Sequence, residues 1–257
     1  MPAAYTHYLI ASEVFHRLPE RIKCSVLSPR LYVFGAQGAD FCFLYRALNP
    51  AELNFGRFLH GNGGLPFFNV LALFAAQDPV LFSYALGYIT HYAADCVFHP
   101  YVYYVSGNSR LKHSRTEGAL DAHFRKSMPR RHTEPFNAAL TEKERNSLFT
   151  LYAATAAHTD RAPLQKNAFF KALSAYRTYV SVYAKTVEKA CPALLNGERK
   201  PWHYPKDERI IKTDGADELF RRAVTDSIKL IADFCTCLRE GAALPSALFG
   251  KNFLSGL

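Results

Sequence analysis

Apolar positions recur at intervals of three and four along most of the chain, a pattern that predicts helices nearly throughout. Ala3–Arg17 reads as a first helix, ended before Leu18-Pro19. Residues 20–39 read as loops and turns that close on Gly35-Ala36-Gln37-Gly38-Ala39-Asp40, where two glycines allow a tight backbone path just before the aspartate. Another loop is expected around Asn49–Gly64, then two strongly apolar helices near Pro66–Gln77 and Pro79–Ser106. Lys112–Ser127 is amphipathic, and Thr141-Glu142-Lys143-Glu144 spells a capping box that opens a helix towards His158. Within Leu164–Lys189, the residues Phe169, Leu173, Tyr176, Val180, Tyr183 and Val187 make one apolar stripe. Ala216–Arg239 repeats that design with Phe220, Val224, Ile228, Ile231, Phe234 and Leu238. Glu198–Asp214, with Trp202 and two prolines, reads as a long loop. No segment alternates strictly with a period of two. The expected fold is all-α.

The chain has 257 residues, 49% of them hydrophobic, enough for one compact domain spanning residues 1–257. The first residues lack a basic stretch followed by an uninterrupted apolar run, so no signal peptide is recognisable. The runs Leu65–Gln77 and Pro79–Thr90 are each too short to span a bilayer, and Asp78 separates them. A soluble, cytoplasmic protein is expected. Its six cysteines include no CxxC pair, which argues against a zinc finger or a thioredoxin motif and for reduced core cysteines. The net charge is +9, much of it within Arg110–Arg131. Such a run is either a solvated helix face or an attraction for anionic partners.

One apolar segment is chemically out of place. Between Pro79 and Val105 the only ionisable groups besides tyrosines and one cysteine are His91, Asp95 and His99. On a helix, steps of four drift only about 40° each, so the three share a face, with about 12 Å between the two histidines. At metal–nitrogen distances of about 2.1 Å, that is too far for both to hold one ion. His91 and Asp95 then serve one ion and His99 another, and the two oxygens of Asp95 suit a bridge across a pair about 3.5–4 Å apart. Pro100 is a candidate to end the regular helix there.

The spacing recurs at His113 and Glu117, one turn before Asp121, which suits accepting a hydrogen bond from a ligand histidine. Taken singly, such pairs are most often ordinary hydrogen bonds. His7 in YTHYLIA, Asp40 in GAQGADF and His60 in GRFLHG, singly a helix histidine, a helix N-cap and a loop histidine, complete the set. Five imidazoles and three carboxylates suit zinc rather than calcium or magnesium.

YTHYLIA, LYVFGAQGADF, LHG, THYAADCVFHPYVY and HSRTEGALD together resemble the bacterial zinc-dependent phospholipase C family, over about residues 3–125. The resemblance implies an all-α fold holding up to three zinc ions in a cleft. It implies that Asp40, His60, His91 and Asp95 hold one zinc, His7 and Asp95 a second, and His99, His113 and Glu117 the third. In the secreted phospholipases the histidine after the bridging aspartate lies further along than His99 does here. Those enzymes also use their mature N-terminal amine as a ligand, for which Pro2 would be the counterpart. By the same resemblance, the zincs grip the phosphodiester oxygens and acidify water, Asp40 orients or deprotonates that water, and diacylglycerol leaves. The implied partner is a phospholipid, met by peripheral contact with a membrane.

Two alternatives keep the metals. One is a single-strand-specific zinc nuclease, which would need aromatic residues such as Tyr101, Tyr103 or Tyr104 near the metals to stack bases. The other is a helical protein stabilised by closed, non-catalytic zinc. No His-Asp dipeptide occurs, against HD-type phosphohydrolases, and a single ExxH, Glu13–His16, argues against a ferritin-like di-iron site.

Overall fold

The computed structural model describes residues 4–46, 54–61, 64–107, 109–127, 139–186, 202–204, 207–212 and 215–257. Its helices are α1 (Ala4–Arg17), α2 (Glu20–Lys23), α3 (Pro29–Gly35), α4 (Phe55–Gly61), α5 (Leu65–Ala75), α6 (Pro79–Ser106), α7 (Arg110–Ser127), α8 (Glu142–His158), α9 (Lys166–Thr186), α10 (Ala216–Glu240) and α11 (Ser246–Phe249). A 3-10 turn, Asp40–Leu44, follows α3. Among the described residues the fold is all-α apart from one hairpin, β1 (Trp202–Tyr204) and β2 (Asp207–Lys212), antiparallel with an irregularity between His203 and Tyr204. That hairpin lies where the sequence suggests only a long loop.

Helix α6 is the axis. Its 28 residues open with Asp78, whose carboxylate accepts from the Val80 amide, and Pro79 at the first helical position. Apolar on nearly every side, it is buried by α1, α3, α5, α7, α8, α10 and β1. Pro100 lies inside α6 rather than ending it. The missing amide costs a helix about 3 kcal/mol, and the packing around the buried neighbours His99, Tyr101 and Val102 overrides it. His91, Asp95 and His99 therefore do stand on one continuous helix.

The segment 20–39 holds two helices not evident from its pattern. Ser28 caps α3 by accepting from the Leu31 amide, and Pro29 follows at the first helical position. The loop expected at 49–64 contains α4, begun by Asn54, whose side chain accepts from the Arg57 amide. Both are short helices flagged by a cap rather than by periodicity. Helices α3 and α6 touch backbone to backbone: a Cβ at Gly87 would lie 1.9 Å from the Tyr32 carbonyl oxygen. Tyr32 in turn donates to the Ala11 carbonyl, which fixes α3 against α1.

Helix α8 carries the expected capping box between Thr141 and Glu144. Phe169, Leu173, Tyr176 and Val180 of α9 are buried, as are Phe220, Val224, Ile231 and Phe234 of α10, whereas Ile228 and Leu238 are half-buried. The side chain of Tyr183 and the whole of Val187 lie outside the described residues. Phe41, Phe67, Tyr84, Tyr88, Tyr152 and Phe169 form an aromatic core under the turn that carries Asp40. Of the five described cysteines only Cys42 is fully buried, and Cys24 is exposed. No described helix is long and apolar enough to cross a membrane.

Candidate metal centre

Five elements converge on one buried cluster. Helix α1 supplies His7, the 3-10 turn Asp40, α4 His60, α6 the row His91, Asp95 and His99, and α7 His113 and Glu117. All eight are buried except His113, which is half-buried. They lie together although up to 110 residues separate them in sequence, as the paired four-residue spacings suggested.

Asp95 sits at the centre. Its Oδ1 is 3.3 Å from His7 Nε2 and 3.5 Å from His99 Nδ1, while its Oδ2 is 3.2 Å from His91 Nε2 and 3.8 Å from His60 Nε2. Each carboxylate oxygen thus addresses a different set of imidazoles. On one side, Asp40 Oδ1 lies 3.2 Å from His60 Nε2 and 3.9 Å from His91 Nε2. On the other, Glu117 Oε1 lies 2.9 Å from His113 Nε2 and 3.6 Å from His99 Nε2. Three groups of donors result, each within 4.8 Å internally: Asp40, His60 and His91; His7, His91 and Asp95; His99, His113 and Glu117. His91 belongs to two of them, whereas His91 and His99 never share one, as their separation along α6 demands.

Hydrogen bonding leaves many of these atoms unsatisfied. His60 Nε2, both nitrogens of His91, His7 Nδ1, His99 Nδ1 and Glu117 Oε2 are buried and have no hydrogen-bond partner among the described residues. An uncompensated buried polar group costs several kcal/mol, so close approach without hydrogen bonds fits side chains arranged to hold a cation. His60 is the clearest case. Its Nδ1 lies 2.8 Å from the Gly56 carbonyl, which makes that nitrogen the proton carrier and leaves the Nε2 lone pair aimed at Asp40 and Asp95. A void of about 20 Å³ lies between His7, Asp95, His99 and Glu117, close to the room a single small particle needs. The imidazole and carboxylate donors, with no thiolate, fit zinc.

The electrostatics follow from burial set against opposite charge. Burial alone would raise Asp95 and Asp40, yet the imidazoles of His91, His99 and His7 hold Asp95 well below the usual carboxylate range, and His60 and His91 hold Asp40 down. Burial would lower His99, but Asp95 and Glu117 raise it to about 9. Glu117 itself lies below its usual range despite its burial, with His113 and His99 contributing. His91 moves the other way, its burial outweighing its carboxylate neighbours. Every carboxylate in the cluster is held ionised, as a ligand must be.

Asp121 differs from the role its spacing suggests. It accepts from the Tyr5 amide at 3.1 Å, the Thr6 amide at 2.8 Å and the Thr6 hydroxyl at 2.6 Å, capping the first turn of α1 rather than supporting a ligand histidine. It therefore fixes His7 through the helix. Asp40 opens the 3-10 turn instead of capping an α-helix, and His60 rides on α4 rather than in a loop. Pro2 lies outside the described residues.

The cluster floors a cavity of about 500 Å³ whose walls add Phe43, Arg57, Tyr103, Arg110 and Leu254 to Asp40, Asp95, His60, His99 and His113. Of the three tyrosines considered for stacking, Tyr103 lines it, its ring 4.9 Å from that of His113, whereas Tyr101 is buried and Tyr104 exposed. Gln37 and Phe253 were not evident from any motif. Gln37 donates to the Ala4 carbonyl and accepts from the Tyr176 hydroxyl, tying α1 and α9 to the turn before Asp40. Phe253 is fully buried, with its ring 5.1 Å from His60 and 6.2 Å from His91. A lone aromatic far along the chain carries no local signal of such a contact.

Comparison with known proteins bears on one point directly. No curated protein and no solved structure matches the chain. A family model described as zinc dependent phospholipase C matches residues 6–186, which include all eight clustered donors and leave out Phe253. The chain belongs to the zinc-dependent phospholipase C family.

Proposed function

We propose that the zinc-loaded protein hydrolyses the phosphodiester of a phospholipid, releasing diacylglycerol and a phosphorylated headgroup. His7, Asp40, His60, His91, Asp95, His99, His113 and Glu117 are the proposed ligands of up to three zinc ions. The observation that carries this is Asp95, which turns one oxygen towards His7 and His99 and the other towards His91 and His60, at the floor of an open cavity. Zinc bound there would supply a Lewis acid for phosphate oxygens and lower the pKa of water. Asp40, ionised and facing the cavity, would orient the attacking water and accept its proton. His60 and His91 hold the Asp40 carboxylate in place, and the tautomer of His60 is set by Gly56. The α1 cap on Asp121 holds His7.

The open cavity favours catalysis over closed structural zinc, since Asp40, His60, Asp95, His99 and His113 all face it. The test is diacylglycerol release from a panel of short-chain phospholipids by purified protein, with chelator and zinc restoration, and single-stranded DNA offered in parallel. Release that stops with chelator and returns with zinc is expected. Full zinc occupancy with no cleavage of any phospholipid would overturn the proposal, and preferential cleavage of DNA would replace it with a nuclease.

A further inference from the structure

Two arginines stand in the same relation to two of the clustered histidines. Arg57 precedes His60 by three residues on α4, and Arg110 precedes His113 by three on α7. That spacing places each guanidinium on the same helix face as its histidine. Both arginines line the cavity and are exposed, Arg57 beside the buried His60 and Arg110 beside the half-buried His113. No carboxylate among the described residues pairs with either one. Arginine is always charged, and its planar fork matches carboxylate and phosphate oxygens two at a time.

Among the described residues of the wall, the acidic ones are Asp40 and Asp95, and both are engaged by histidines of the cluster. Phe43 lies 4.8 Å from the His60 ring and Tyr103 lies 4.9 Å from that of His113, so each aromatic ring is already in contact with an imidazole. A quaternary ammonium needs an aromatic face or a carboxylate of its own. At this mouth it would meet the positive charges of Arg57 and Arg110.

We propose that Arg57 and Arg110 make this cavity selective for phospholipids whose headgroup carries an additional anionic group, a carboxylate or a phosphate, over those with a choline headgroup. This rests on the phospholipase reading above and narrows its substrate class. The reacting phosphodiester sits over the cluster, and the two guanidinium groups receive the extra anion at the rim. Both arginines are specificity residues, remote from the reacting bond.

The experiment uses the zinc-loaded full chain and a matched pair of headgroup fragments. O-phosphoserine and phosphoethanolamine differ by one carboxylate, and titration calorimetry at low salt measures each. Phosphoserine is expected to bind at least about fivefold tighter, with the ratio falling towards one in the Arg57→Gln/Arg110→Gln variant and as salt is raised. Zinc content stays unchanged in that variant. In hydrolysis, short-chain phosphatidylserine should exceed phosphatidylcholine in kcat/KM by a similar factor, expressed mainly in KM, and the variant should erase the difference.

Equal binding of the two fragments overturns the inference, as does a variant that weakens both alike, which would mark contact with the shared phosphate. Phosphatidylcholine as the best substrate overturns it while leaving the phospholipase reading intact. Absence of all phospholipid cleavage, with the phosphoserine preference present and lost in the variant, removes the phospholipase reading and supports the anion recognition. Preferred cleavage of a single-stranded oligonucleotide overturns both.

Discussion

Gly38 lies directly against the imidazole of His91: a Cβ built on it would fall 2.0 Å from His91 Cδ2 and 2.3 Å from Nε2. Its φ is 58°, in the left-handed region that side chains disfavour by about 1–2 kcal/mol. The glycine before Asp40 thus serves two purposes. It turns the chain so that Asp40 enters the cluster, and it leaves room for a histidine that two donor groups share. Tyr84 supports the same turn by donating to the Gly38 carbonyl.

Gly38→Ala should therefore displace His91 or the turn, since no flexible side chain is available to yield. The expected outcome is a melting temperature lowered by several degrees together with reduced zinc content. A variant with wild-type zinc and an unchanged melting curve would show that the contact is not needed.

Asp95→Ala should lower zinc stoichiometry by more than one ion, because its two oxygens address different groups. Thermal stability should fall with it, since metal binding and folding are linked. His158→Ala, on the exposed end of α8, is the control and should retain full zinc, as should His203→Ala. Elemental analysis of the purified variants reads the result, and unchanged stoichiometry in Asp95→Ala would remove that residue from the centre.

Phe253→Ala tests whether the C-terminal segment supports the cluster. The ring is fully buried against His60, and its removal should cost about 3–5 kcal/mol of stability. Phe253→Leu, which keeps most of the volume, should restore stability and much of the zinc affinity. Calorimetry and zinc titration of both variants decide the matter. Normal zinc affinity in Phe253→Ala would limit its role to packing.

Glu144 links α8 to α3. It accepts from the Thr141 amide at the start of α8 and from the Ser28 hydroxyl that caps α3, with Arg30 3.7 Å away. Partial burial opposes its charge, but Ser28 and Thr141 hold its pKa below the usual 4.5. A carboxyl with a depressed folded pKa contributes stability above its unfolded value and loses it as pH falls through the folded one. Glu144→Gln keeps an acceptor for the cap and removes the charge, so it should lower the melting temperature at pH 7 and by progressively less below about pH 4.5. An equal deficit at all pH values would show that charge is not what matters there.

The periodic helices and the clustered histidines and carboxylates were legible in the sequence for the same physical reason. Ionisable groups are too costly to bury without purpose, so His91, Asp95 and His99 stand out against an apolar helix and fix its face. Helices α3 and α4 were missed because each has only seven residues, too few to show a period, and is announced by Ser28 or Asn54 alone. Pro100 misleads because local preference favours a helix end where tertiary packing sustains the helix. The hairpin was hidden by Pro201 and Pro205, which read as loop. The contacts of Gln37 and Phe253 depend on the assembled fold and leave no trace in spacing.

The central claim is that these eight side chains hold zinc, and anomalous diffraction at the zinc edge from crystals of zinc-reconstituted protein tests it most directly. The account predicts up to three peaks, placed among His7, His91 and Asp95, among Asp40, His60 and His91, and among His99, His113 and Glu117, at about 2.0–2.2 Å from nitrogen and oxygen donors. Reconstituted crystals with no peak in this cluster, or with zinc held only by other residues, would contradict it.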